Sequence, residues 1–164
     1  MARPLRQVQR LDFDVGNTAA VVETMTRLAA AEDGWINMLP RGGDDDERST
    51  SIGFLALLGG GSIGVTMITW VPGGHNRRGA TQPTLGISHL LRHRVFADLE
   101  SRGLGVPKTW FVEQDHPRRG LVLRLPFDIA HEEVLEWALG ALNALMAPPS
   151  IRRWRAEVYL PNSS

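Results

Sequence analysis

Two short stretches of this chain place reactive side chains at spacings that could do chemistry. In His89-Leu90-Leu91-Arg92-His93, two imidazoles stand four residues apart, one turn of a helix, so both could present a nitrogen to one metal ion. Leu90 occupies the place of the glutamate base in the zinc-protease pattern, so the pair is not that motif. A third ligand would have to come from His116, Asp115 or His75, and the sequence does not bring these near. In Gln114-Asp115-His116-Pro117-Arg118-Arg119-Gly120, a carboxylate, an imidazole and two guanidiniums share a hairpin tip. Asp115 could orient His116 as a base while Arg118 or Arg119 holds an anionic substrate. The plainer readings are two unrelated histidines and a solvated turn that Gly120 relieves.

Other patterns weaken when tested against the chemistry they would serve. Gly59-Gly60-Gly61-Ser62-Ile63-Gly64 matches G-x-G-x-x-G, but a dinucleotide site needs a helix N-terminus next, and β-branched residues follow up to Pro72. None of the serines lies in G-x-S-x-G. Asp44-Asp45-Asp46-Glu47 suggests a divalent-cation site, yet three adjacent carboxylates cannot all reach one ion without an unusual backbone; a mobile loop is the simpler expectation. Arginine clusters recur at Arg77-Arg78, Arg118-Arg119 and Arg152-Arg153-Arg155, and would form an anion-binding surface only if the fold brought them together.

These residues depend on the elements that carry them. Apolar spacing predicts a helix over about 18–32, with Val21, Met25 and Leu28 on one face, and a short strand over 35–39. A hairpin is expected with strands near 52–58 and 63–71, the three glycines forming its turn. The same stretch is long enough to span a membrane, but central glycines and β-branched residues favour the hairpin. Pro72–Gly86, with His75-Asn76-Arg77-Arg78, reads as a long loop. A second helix is expected over 88–102, carrying Leu91, Val95, Phe96 and Leu99. A second hairpin joins Trp110–Glu113 to Leu121–Leu125, with Glu113 and Arg124 pairing across it. A third helix begins after a cap at Asp128 and stops at Pro148-Pro149. A last strand over 151–160 points Trp154, Ala156 and Val158 inward, and Arg153, Arg155, Glu157 and Tyr159 outward.

The expected fold class is α+β: an antiparallel sheet of about five to six strands with three helices packed on it. One domain covers 1–164, its core over about 18–160, with 1–12 and 161–164 flexible. Eighteen basic residues balance eighteen acidic ones, which argues against nucleic-acid or membrane binding by bulk charge. Lys108 is the one lysine, a bias that fits a GC-rich coding sequence. With no cysteine there is no disulfide frame, thiolate catalysis or thiolate-held metal. The first ten residues hold no apolar secretory core, so the expected location is the cytoplasm.

The order helix, three strands, helix, two strands, helix resembles that of type III secretion chaperones and YbjN-like proteins. Gly120-Leu121-Val122-Leu123-Arg124-Leu125-Pro126 before an acid-started helix is similar to the end of such domains. The C-terminal strand departs from that order. Gln114–Val122 and Trp154–Val158 also resemble segments of small uncharacterised proteins of GC-rich bacteria. The chaperone resemblance implies a dimeric, partner-binding domain without catalysis. The sequence reading is therefore a non-catalytic protein-binding domain of chaperone or adaptor type, without a cofactor, taking a protein partner or a second copy of itself. Recognition is expected through His75, Arg77 and Arg78, and through Arg118 and Arg119 at the hairpin tip. The alternative is a small enzyme or binder of an anionic molecule, using Asp115 and His116 with the same arginines.

Overall fold

A computed structural model describes residues 5–41, 66–146 and 152–161. In chain order the elements are β1 (Leu5–Asp14), α1 (Ala19–Ala31), β2 (Trp35–Pro40), β3 (Met67–Val71), β4 (Gly74–Asn76), β5 (Gly79–Thr81) and β6 (Thr84–Ser88). Then come α2 (Phe96–Ser101), β7 (Phe111–His116), β8 (Gly120–Arg124), α3 (His131–Leu145) and β9 (Arg153–Pro161). Seven strands form one antiparallel sheet in the order β1-β9-β2-β3-β6-β8-β7, and β4 with β5 forms a separate two-stranded ribbon. The α+β class holds, with seven strands in the main sheet rather than five to six.

Alternation along each strand sorts the sheet into two faces. Ile36, Met38, Ile68, Trp70, Leu85, Ile87, Leu121, Leu123, Trp154 and Val158 are buried in one core with Val21, Met25 and Leu28 of α1, Leu99 of α2, and Val134, Leu135, Ala138 and Leu142 of α3. Each large side chain fully buried there contributes roughly 1.5–3 kcal/mol. The opposite face buries polar groups. Thr69 Oγ1 donates to Asn37 Oδ1 at 2.9 Å, and Tyr159 Oη donates to Glu157 Oε2 at 2.6 Å. Tyr159 also stacks on Trp35, with centroids 5.4 Å apart. Glu157 and Tyr159 thus point away from the helices as expected, but both are buried.

Several expectations are corrected. Most of the lead expected to be flexible forms β1, which pairs with β9 from Leu5↔Pro161 to Asp14↔Arg153. Pro72–Gly86 is not a structureless loop: it builds the β4–β5 ribbon and enters β6. The second helix is only Phe96–Ser101, because Ser88 ends a strand and Arg92 takes a left-handed φ of 59° that no helix continues through. Asp128 does not cap α3; Ala130 stands at that position without a side-chain hydrogen bond. The first helix, the 110–125 hairpin and the last strand match their expected positions closely, and Arg124 Nη2 donates to Glu113 Oε1 at 2.7 Å. The acidic run 44–47, the first strand and glycine turn of the 52–71 hairpin, the G-x-G-x-x-G match, Pro148-Pro149 and the last three residues lie outside the described residues.

Candidate functional site

The two ends of β6 organise the residues that could act. At its Ser88 end, β6 pairs Ile87 with Leu121 of β8, and β8 pairs Leu121 with Asp115 of β7. An irregularity in register between Val112 and Gln114 resets the alternation of β7. Simple alternation from Val112 would put Gln114 and His116 on the helix side; after the bulge it is Asp115 that faces there. Its carboxylate accepts the backbone N–H groups of Val95 (3.0 Å) and Phe96 (3.2 Å), closing the start of α2. His116 turns elsewhere: its Nδ1 accepts the N–H groups of Arg118 and Arg119, both at 3.1 Å. Neighbours on a strand face opposite sides, so the Asp115–His116 dyad of the alternative reading does not assemble.

Nor do His89 and His93 form a pair on a helix. His89 is buried, and neither ring nitrogen has a hydrogen-bond partner among the described residues. Burial holds its pKa below the ordinary value; Asp115 opposes that shift and His93 adds to it. His93 lies on the exposed stretch after it, its Nδ1 2.8 Å from the Arg94 carbonyl. Among the described residues no group of three or more His, Asp or Glu is placed to hold a metal ion.

Between buried His89 and buried Val95 the chain holds Leu90 and Leu91 outward, 60% and 37% exposed, and Phe96 follows at 36%. Arg92 and Arg94 are exposed on the same stretch. Arg118 and Arg119 sit on the adjoining β7–β8 turn, which Gly120 brings against Ile87 and Ser88. None of these four guanidiniums has a side-chain hydrogen bond or ion pair among the described residues.

The Thr84 end carries a different site. A cleft of about 210 Å³ is lined by Glu32, Trp70, His75, Thr81, Pro83, Phe127, Ile129 and His131, among others. Glu32 ends α1 in a left-handed conformation, φ 52°, and its carboxylate accepts both the backbone N–H (3.1 Å) and the ring Nδ1–H (2.6 Å) of His75. His131 opens α3, packs edge-on against Trp70 with centroids 5.4 Å apart, and contacts Thr26 Oγ1 through Nδ1 at 3.1 Å. Burial lowers its pKa from the ordinary value, with Glu132 acting in the opposite direction.

The predicted binding residues therefore divide. His75 lines the cleft, and Arg77 and Arg78 lie exposed at the tip of the ribbon beside it. Arg118 and Arg119 stand at the far end of β6, roughly 14 Å away along the strand direction. Arg152 and Arg153 share that far end but lie four strand spacings across the sheet, roughly 19 Å. The three arginine segments do not converge. Sequence reasoning misses Glu32, Trp70 and His131, which are separated in sequence and meet only through the topology. It also buries Leu91 and Phe96 on a helix face that does not form. No protein-family model, curated protein or solved structure matches this chain.

Proposed function

We propose that this is a non-catalytic protein-binding domain, adaptor- or chaperone-like and cytoplasmic, that engages its partner with the Ser88 end of the sheet. The observation carrying this reading is the outward display of Leu90, Leu91 and Phe96 beside four arginines without ion pairs among the described residues. Apolar residues ringed by guanidiniums suit a protein segment that brings its own apolar side chains with Asp and Glu around them. The groups that an enzyme at this end would need support the same reading. Asp115 is occupied with the start of α2 and His116 with its own turn.

Affinity capture with purified protein tests the proposal. The wild type is expected to retain a specific acidic protein whose recovery falls with added salt. Leu90→Asp with Leu91→Asp should abolish that recovery, and Arg118→Glu with Arg119→Glu should weaken it, both with unchanged circular dichroism. A second copy of this chain as the partner would appear as a dimer by light scattering, lost in the same variants. Capture unaffected by both double variants, or no specific partner together with a monomer by light scattering, overturns the proposal.

A further inference from the structure

We propose that the cleft at the Thr84 end binds a small planar ligand bearing an N–H or O–H donor, which His75 and His131 accept through Nε2. This site is independent of the protein-docking end, being at the opposite end of β6. Its volume of about 210 Å³ exceeds the roughly 150 Å³ of an apolar cavity known to take benzene, so one ring system with substituents fits. Trp70, Phe127 and Ile129 supply apolar walls.

Proton counting sets the polarity of the ligand. The single hydroxyl proton of Thr26 is donated to the Val22 carbonyl at 3.0 Å. Its 3.1 Å contact with His131 must therefore use a proton on the ring Nδ1. A neutral ring with its proton there has a lone pair on Nε2. Glu32 is an acceptor only, so the contact places a proton on Nδ1 of His75, and the neutral form of that ring has the same free lone pair on Nε2. Among the described residues no hydrogen-bond donor contacts either Nε2. The cleft thus offers acceptors on two imidazoles and the charge of Glu32. An anion would meet lone pairs and a carboxylate, whereas a donor-bearing aromatic ring would satisfy them. The backbone points to the same constellation: a left-handed non-glycine residue costs roughly 1–2 kcal/mol, and here that residue is Glu32, whose carboxylate fixes the ring of His75.

Three planar aromatic probes test this: indole, which donates; benzofuran, of matched shape but lacking the N–H; and benzoate, an anion. Binding to the full chain is read by amide and side-chain NMR titration. Indole is expected to give saturable shifts centred on Trp70, Ile129 and His131, and to bind roughly three- to tenfold more tightly than benzofuran, the range of one net hydrogen bond. Benzoate is expected not to bind. His131→Phe keeps a planar aromatic ring and removes an acceptor, so it should narrow the preference for indole over benzofuran. Ala80→Phe, at an exposed ribbon residue lining the cleft, should block all binding and serves should His131→Phe fail to fold. Equal binding of indole and benzofuran, binding of benzoate, or indole shifts outside the cleft that persist in Ala80→Phe would overturn the proposal, as would no saturable indole shifts at all.

Discussion

At Gly120 the backbone takes a φ of 87°, and a methyl group there would collide with the Ile87 carbonyl and stand 3.3 Å from Ser88 Cα. Both obstacles are backbone of β6, which is paired on both sides by β3 and β8, so neither can swing aside. Gly120→Ala is expected to destabilise the fold by more than about 2 kcal/mol, the left-handed strain plus the collision. Gly103 is the control: its φ is 76°, but nothing lies within 4 Å of its added methyl. Gly103→Ala should cost only about 1 kcal/mol of conformational strain. Urea denaturation of both variants measures the difference, and equal losses would show that the contact with β6 carries no energy. The sequence marks Gly120 as a turn residue. It does not reveal that Ile87 lies against it, because that proximity follows from β6 pairing with β8 across an intervening helix and loop. Glu32 is hidden for the same reason: nothing near it in sequence announces His75.

Among the elements, β7 and α2 are linked by one carboxylate. The bulge after Val112 turns Asp115 to the helix side, where it receives two N–H groups that the start of α2 would otherwise leave without partners. Asp115→Ala should cost about 1 kcal/mol of stability, the usual value of a lost side-chain cap. It should also speed amide hydrogen exchange at Val95 and Phe96 selectively; unchanged exchange there would show that Asp115 does not hold this segment. Neither the bulge nor the short helix is legible in sequence. Leu91, Val95, Phe96 and Leu99 recur at helical spacing, while Leu85 and Ile87 alternate as a strand around Gly86, whose lack of a side chain obscures the pattern. The sheet claims residues as far as Ser88, leaving too few for a helix that begins there. The hairpin from Trp110 to Leu125 is easier to read, because alternating apolar residues flank a turn and the β7–β8 pairing is local. The long helix α3 was legible in the same way, through an apolar face repeated over four turns.

Across the whole molecule, zero net charge is compatible with two ends of different character. The Ser88 end holds arginines without ion pairs among the described residues, and the Thr84 end holds Glu32 and two imidazoles. What couples these ends is the fold's stability, since each contains a histidine whose burial disfavours its charged form. His89 and His131 both have pKa values below the ordinary 6.5 in the folded chain. The unfolded chain regains the ordinary value, so between the folded and unfolded pKa values it binds more protons than the native state. Stability must therefore rise with pH through that window. The contribution is complete above about 6.5 and is lost as pH falls toward the folded values. Urea midpoints should accordingly decrease from about pH 7.5 to about pH 5.5, a range chosen above the ordinary carboxylate pKa values. His89→Leu should flatten part of this slope. It should also keep or raise stability at neutral pH, because it removes two buried ring nitrogens that have no partner among the described residues. Adding His131→Phe should flatten the remainder. A slope that survives in the double variant would place the acid sensitivity elsewhere and would count against burial of these two rings as its cause.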